Sequence, residues 1–346
     1  MLLEVYSSIS KIELYKEDKP YGLGNTFIEL FLMFYYSGVN KLFSILILLG
    51  PGENEANRFL DLLKSIIKNE PVVREKCNLI IVIDNNALIS DWSFIRSSFQ
   101  SLTILYNPLT KFSKYVCDRQ TAGFLFGMNY AITNFDNEYI LKVDTDVICI
   151  NPFSDILSRY SKENPVIGIC GTYLNWPLNG NSRLNDFADW GARIKKVHKK
   201  SLVMSMLSAI KYKRIVDITN FYKRRKIFRI AIANGYKYGY HVQGGAMMLT
   251  KAFVSEFSKC ELINNPYIFE RSYIGDDNII SLISFYLGLK CSDFNNKDQV
   301  FGIWFDTPPI SYQELLSNKL SLIHRIKCKN INDESTLRND YKSAIN

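Results

Sequence analysis

Four clusters combine residue types and spacings that could do chemistry. Asp144-Thr145-Asp146 follow the apolar run YILKV. At strand spacing the two carboxylates project to one side and, where the strand ends, converge on a divalent cation through hard oxygen ligands. Mg²⁺ or Mn²⁺ would suit them and would offset the charge of a diphosphate. With 19 Asp in the chain, an Asp-x-Asp arises roughly once by chance, and a solvated polar turn is the alternative. The second cluster, Gly275-Asp276-Asp277, stands directly before an apolar helical stretch. Asp276 there can cap the helix while Asp277 points into a cleft and accepts a proton as a general base. The third is Gln243-Gly244-Gly245-Ala246, where paired glycines let backbone approach a ligand closely, or simply turn into a strand. The fourth is His324 in SLIHRIK, which can complete a metal shell begun by carboxylates or fill a structural place.

These groups need elements to hold them. Phe43 to Leu49 is a short apolar run closed by Gly50-Pro51-Gly52, as expected of a strand buried on both faces. Helical spacing follows at 54–68, then strands at Leu79–Ile83, Leu102–Tyr106 and Tyr139–Val143, with helices after Ser90 and from about Arg119 to Thr133. Strands alternating with helices predict a parallel α/β sheet, whose ligands bind beyond the strands' carboxyl ends, where Gly50, Asp84 and Asp144 fall. A strand is expected at 165–170, helices at 253–261 and 277–287, and short strands after Lys290.

Composition bounds the rest. The chain has 346 residues, 47% hydrophobic and 22% charged, which excludes a disordered or collagen-like protein. Its net charge is +8, yet residues 193 to 229 hold thirteen Lys/Arg against Asp217 alone, so the remainder is mildly acidic. That asymmetry argues against a nucleic-acid coat, and no RNA-recognition or zinc-finger motif is present. Seven cysteines without paired spacing read as thiols in a reducing compartment. The first twenty residues lack the pattern of a secretory signal, and polar residues divide the apolar window Phe27–Leu49 into pieces too short to span a bilayer. A cytoplasmic protein is expected.

In order, the clusters resemble the nucleotide-sugar-dependent glycosyltransferases of the GT-A fold, of the Asp-x-Asp type. RQTAGFLFGMNYAITNFDNEYILKVDTDV is similar to that superfamily's helix, strand and Asp-x-Asp segment, and GGAMML followed by GDDNIISL is similar to the glycine-rich loop and acidic helix start of inverting members. The resemblance covers roughly residues 43 to 327. It implies a GT-A-type, Rossmann-like α/β fold with a central, mostly parallel sheet flanked by helices, here with a helical basic insertion at 193–240. With the leader and tail read from the residue pattern, the expected organisation is a helical leader (1–42), a nucleotide-sugar-binding half (43–150), an acceptor-binding and catalytic half (151–327) and a C-terminal tail (328–346). The resemblance further implies Mn²⁺ or Mg²⁺ on Asp144, Asp146 and His324, and donor contacts from Asp84, Arg119, Asp144, Gly244 and Gly245. Asp277, with Asp276 beside it, would be the base, giving transfer from a UDP-sugar to a glycan or lipid-linked acceptor with inversion; retention follows if Asp277 sits elsewhere. Where the family has Glu-Asp, this chain has Asp-Asp.

The basic insertion carries its own expectation. Ile194, Val197, Met204, Leu207 and Ile210 recur at helical spacing beside Lys195, Lys196, Lys199 and Lys200, so a helix could lie on an anionic membrane surface, stay solvated, or cover a diphosphate. Competing functions are a nucleotidyltransferase, whose usual Gly-rich basic loop LLGPGENEAN lacks, and a non-catalytic glycan- or nucleotide-binding module.

Overall fold

The computed structural model describes residues 43–84, 89, 92–99, 101–109, 116–178, 180–199, 216–270, 272, 274–294, 300–305, 308–328 and 331–345. The helical leader and Met204, Leu207, Ile210 and Lys200 of the basic segment lie outside them.

The first half alternates as its periodicities dictate. Strand β1 (Phe43–Leu49) leads to helix α1 (Glu53–Asn69), a short α2 (Val73–Lys76) and β2 (Cys77–Ile83). Then come α3 (Ser93–Ser98), β3 (Ser101–Tyr106), α4 (Val116–Asn134) and β4 (Tyr139–Val143). Phe59, Leu62, Leu63, Ile66 and Ile67 put one apolar stripe of α1 against the sheet, while Glu53 and Glu55 at its start and Lys68 at its end complement the helix dipole. On the opposite face α4 sits close, because a Cβ on Gly127 would lie 2.5 Å from Leu46 and one on Gly123 2.8 Å from Asn107.

The second half contains β5 (Ile148–Cys149), α5 (Ser154–Glu163), β6 (Ile167–Gly171), α6 (Leu184–His198) and α7 (Val216–Ala233). It continues with β7 (Ala246–Thr250), α8 (Lys251–Ser258), α9 (Asp276–Tyr286), β8 (Lys290–Asp293) and β9 (Phe301–Ile303). The last elements are α10 (Tyr312–Ser317), β10 (Leu322–His324), α11 (Ile331–Asp340) and α12 (Lys342–Ile345).

Seven strands form the central sheet in the order β3-β2-β1-β4-β7-β6-β8. All neighbours are parallel except at β7, which runs antiparallel to both β4 and β6. One consequence positions the site: the amino end of β7, with Gly244 and Gly245 before it, lies at the same edge as the carboxyl ends of β1, β2 and β4. A smaller sheet, β5-β10-β9, pairs β10 antiparallel to β5 and parallel to β9. Continuous apolar strands such as β2 are buried on both faces, as in a sheet covered by helices on each side.

Two sequence expectations are corrected. The basic helix begins at Leu184, ahead of the insertion expected from residue 193, because Phe187, Gly191 and Ile194 give it a buried face. Residues after 328 are no simple polar tail: α11 and α12 dock on the body, with Tyr341, Ala344 and Ile345 buried in a small core with Leu315 and Ile326. Apolar positions four apart in a short, highly charged segment are too sparse to show as a helical period.

Candidate active site

The cation-binding candidates come together. Asp144 follows β4, and its N–H donates to the Gly245 carbonyl at 2.8 Å, continuing the β4–β7 ladder. Asp146 follows two residues later. His324 is 178 residues farther along, yet β10 pairs with β5, Ile323 against Ile148, which brings its ring beside the Asp-Thr-Asp turn. His324 Nε2 lies 3.4 Å from Asp146 Oδ1. Its Nδ1 donates to the Trp304 carbonyl at 2.9 Å, which orients the ring with Nε2 toward the carboxylates. One ligand atom each from Asp144, Asp146 and His324 lie within 4.8 Å of one another. Two carboxylates and an imidazole suit Mn²⁺ or Mg²⁺. Gly245 makes this possible, since a Cβ there would stand 2.4 Å from His324 Cγ.

Lys142 belongs to none of the four sequence clusters, yet it stands at the centre of the site. It is nearly fully buried, and its ammonium lies 2.6 Å from Asp144 Oδ1 and 3.3 Å from Asp276 Oδ2 while donating to the Gly244 carbonyl. Burial works against its charge, but Asp144 and Asp276 outweigh it and hold the ammonium charged above the ordinary lysine range. A single lysine in the otherwise apolar YILKV was the available clue, because a buried ammonium needs partners. Withdrawal into the recess, with Asp146 and Asp276 adding to it, pushes Asp144 up to about 6 against the pull of Lys142. This holds although 38% of its side chain reaches solvent. Burial alone would raise Asp146, but His324, with Lys327 and Arg58 behind it, holds that carboxyl well below the usual range. Beneath the turn, Thr145 donates to Glu55 at 2.6 Å.

Asp276 and Asp277 open α9 at the same edge. Neither caps the helix: the N-cap is Gly275, in extended backbone, and both aspartates lie in the first turn. Thr121 of α4 holds the Ile274 carbonyl at 3.2 Å, which sets where α9 begins. Asp276 is tied to Lys142, so it is Asp277 whose carboxylate is left toward the space beside Gly244, with Oδ1 accepting from the Asn278 N–H at 2.7 Å. A Cβ on Gly244 would stand 3.3 Å from Asp277 Cβ. His241, also outside the four clusters, is buried, and its Nε2 is 3.5 Å from Asp277 Oδ2.

Asp84 and Arg119 meet at the end of β2, Arg119 Nε donating to Asp84 Oδ2 at 2.9 Å. One strand separates them from Asp144, so the two positions lie about 10 Å apart across the strand ends.

No family model matches the chain, and no curated protein matches it. Among solved structures it is similar to mouse xyloside xylosyltransferase 1, with 10% identity, 82% of this chain and 97% of that one covered, and a TM-score of 0.42. It is similar also to the galactosyltransferase LgtC in complex with donor and acceptor sugar analogues, with 10% identity, 87% and 95% covered, and a TM-score of 0.46. For the bifunctional glycosyltransferase WbbM the identity is 9%, with 98% of this chain and 64% of that one covered and a TM-score of 0.45. All three neighbours are named as sugar transferases.

Proposed function

We propose that this chain is a divalent-cation-dependent glycosyltransferase that moves a sugar from a UDP-sugar to a hydroxyl of a glycan or lipid-linked acceptor, in surface polysaccharide synthesis on the cytoplasmic side of a membrane. The observation that carries the reading is the convergence of an oxygen, oxygen, nitrogen cation set with a second carboxylate pair at one sheet edge, the two joined by the buried Lys142 ammonium. A cation on Asp144, Asp146 and His324, Mn²⁺ or Mg²⁺, would offset the charge of a departing nucleoside diphosphate. Asp84 and Arg119 offer an acceptor and a donor for the uridine, one strand away. Gly244 and Gly245 keep side chains out of the space between donor and acceptor. Asp277 accepts the proton of the attacking hydroxyl, and attack from its side, in line with the leaving group, inverts the anomeric carbon.

The packed helices α6 and α7 support a peripheral membrane contact. Arg193, Lys195, Lys196, Lys199, Arg225 and Arg229 are exposed. His198 between them is held below its ordinary value by burial and then by Arg225, Lys199 and Arg229, so these cations share one neighbourhood.

A panel of nucleotide sugars with Mn²⁺ tests the function. UDP release from one donor supports transfer; pyrophosphate formation would make the chain a nucleotidyltransferase, and binding without turnover would make it a binding module. Asp277→Asn is expected to lower kcat about 10²–10⁴-fold while leaving UDP affinity unchanged. Undiminished transfer by this variant would remove Asp277 from its role, and the anomeric configuration of the product by NMR decides inversion.

A further inference from the structure

The His241–Asp277 contact poses a problem of proton accounting. His241 Nδ1 lies 2.7 Å from the Gly239 carbonyl, and a carbonyl only accepts, so Nδ1 carries hydrogen. The neutral ring then presents a lone pair at Nε2, 3.5 Å from Asp277 Oδ2, which in a carboxylate presents lone pairs too. Two acceptors face one another in a buried place unless a proton lies between them.

The surroundings hold the ring to that geometry. Phe187 and Trp190 meet it edge-on at 5.6 and 6.3 Å between centroids. Gly239 turns at φ +86°, and a Cβ there would stand 2.3 Å from the Phe187 carbonyl, so its backbone is wedged against α6 where it receives Nδ1–H. The buried Arg183 donates to the His241 carbonyl at 3.2 Å.

We propose that His241 is the positioning residue of Asp277: at rest no proton lies between Nε2 and Oδ2, and the proton that Asp277 receives is then shared between them. The proposal rests on the glycosyltransferase reading and deepens it. In the transfer, the acceptor O–H breaks as its oxygen bonds to the anomeric carbon. The bond from that carbon to the diphosphate oxygen breaks, and its electron pair leaves with the nucleoside diphosphate. The proton goes to Asp277 and rests on the Asp277–His241 pair until it returns to solvent. Charges around the pair favour the idle form: burial, with Arg183 adding to it, holds His241 below its ordinary value, against Asp277 and Asp186. Asp277 itself is faced by Lys142 and Arg183 and by Asp276, Cys117 and Tyr236.

Two measurements test it. In ¹⁵N-imidazole NMR of the full chain, His241 is expected as the Nδ1–H tautomer, and Asp277→Asn should lower its titration midpoint by about 1–3 units, because the carboxylate favouring its protonated form is gone. An unmoved midpoint overturns the shared proton whether or not the chain is an enzyme. In turnover with the donor found by the panel, His241→Gln keeps a donor toward Asp277 but cannot titrate, and His241→Asn keeps only the bond to Gly239. Both should lower kcat about 10- to 100-fold with donor KM within about twofold, and both should lose the limb of the pH profile that belongs to the pair. Wild-type kcat and pH profile in His241→Gln would make the residue merely structural and overturn the proposal. If no nucleotide sugar is turned over, the functional reading fails while the NMR result still decides the pair.

Discussion

Asp144 occupies a place that a carboxylate tolerates poorly without a cation. Its folded value, about 6, lies above the ordinary 3.8, so the folded chain binds this proton more tightly than the unfolded one. The contribution of Asp144 to stability therefore falls as pH rises between those values, and a divalent cation that replaces the proton reverses the loss. Mn²⁺ is expected to raise Tm more at about pH 7 than at about pH 5, and Mn²⁺ affinity should weaken by up to about tenfold per pH unit below 6. Thermal shift and calorimetric titration check this; an affinity that is flat across that window would contradict the ligand role of Asp144. Lys142 bridges Asp144 and Asp276, so neither half of the edge is left as an unbalanced cluster of acids.

Between elements, one chain of contacts ties α11 to the Asp144–Asp146 turn. Glu334 on α11 accepts from Arg58 Nε and Nη2, both at 2.6 Å, Arg58 donates to Glu55 at 2.6 Å, and Glu55 accepts from Thr145. Arg338 on the same helix donates to Asp61 at 2.8 Å and to the Ile326 carbonyl at 3.0 Å, while the Ile326 N–H donates to the Asp146 carbonyl. Bidentate pairing of this kind fixes direction as well as distance. Without the Glu334 carboxylate, Arg58 keeps Glu55 alone as its charged partner, so Glu334→Gln should cost about 1–3 kcal/mol in denaturant unfolding. Burial raises the Glu334 carboxyl, but Arg58 outweighs it and holds the group below the ordinary 4.5. Its stabilisation is thus fully present above about 4.5 and is lost as pH falls through the lower folded value. The variant should lack that part of the acid dependence; an unchanged acid profile would show that the clamp contributes nothing. A pairing between residues 276 apart has no local pattern, so by sequence alone the segment has only the character of a polar tail.

Taken whole, the chain outside the basic segment is mildly acidic, α6 and α7 expose several cations, and no helix among the described residues is long and apolar enough to cross a membrane. Six exposed cations at about 1 kcal/mol each near an anionic leaflet can hold the chain there without insertion. Flotation with anionic vesicles is expected to recover the protein at low salt and to release it at high salt; no recovery at low salt would leave α6 and α7 as solvated helices. Periodicity along the chain determined the strands and helices of the first half, and it placed Asp84 and Asp144 at strand ends, because a strand or helix records its buried face in residues only two to four positions apart. The doublet Asp276-Asp277 and the glycine pair were legible for the same local reason. Only the tertiary structure decided that β7 enters between β4 and β6 in the opposite direction, that β10 carries His324 to Asp146, and that Lys142 and His241 each face a carboxylate. Such contacts join residues many tens of positions apart; they depend on strand order and on which packing arrangement has the lower free energy, and a one-dimensional pattern contains neither.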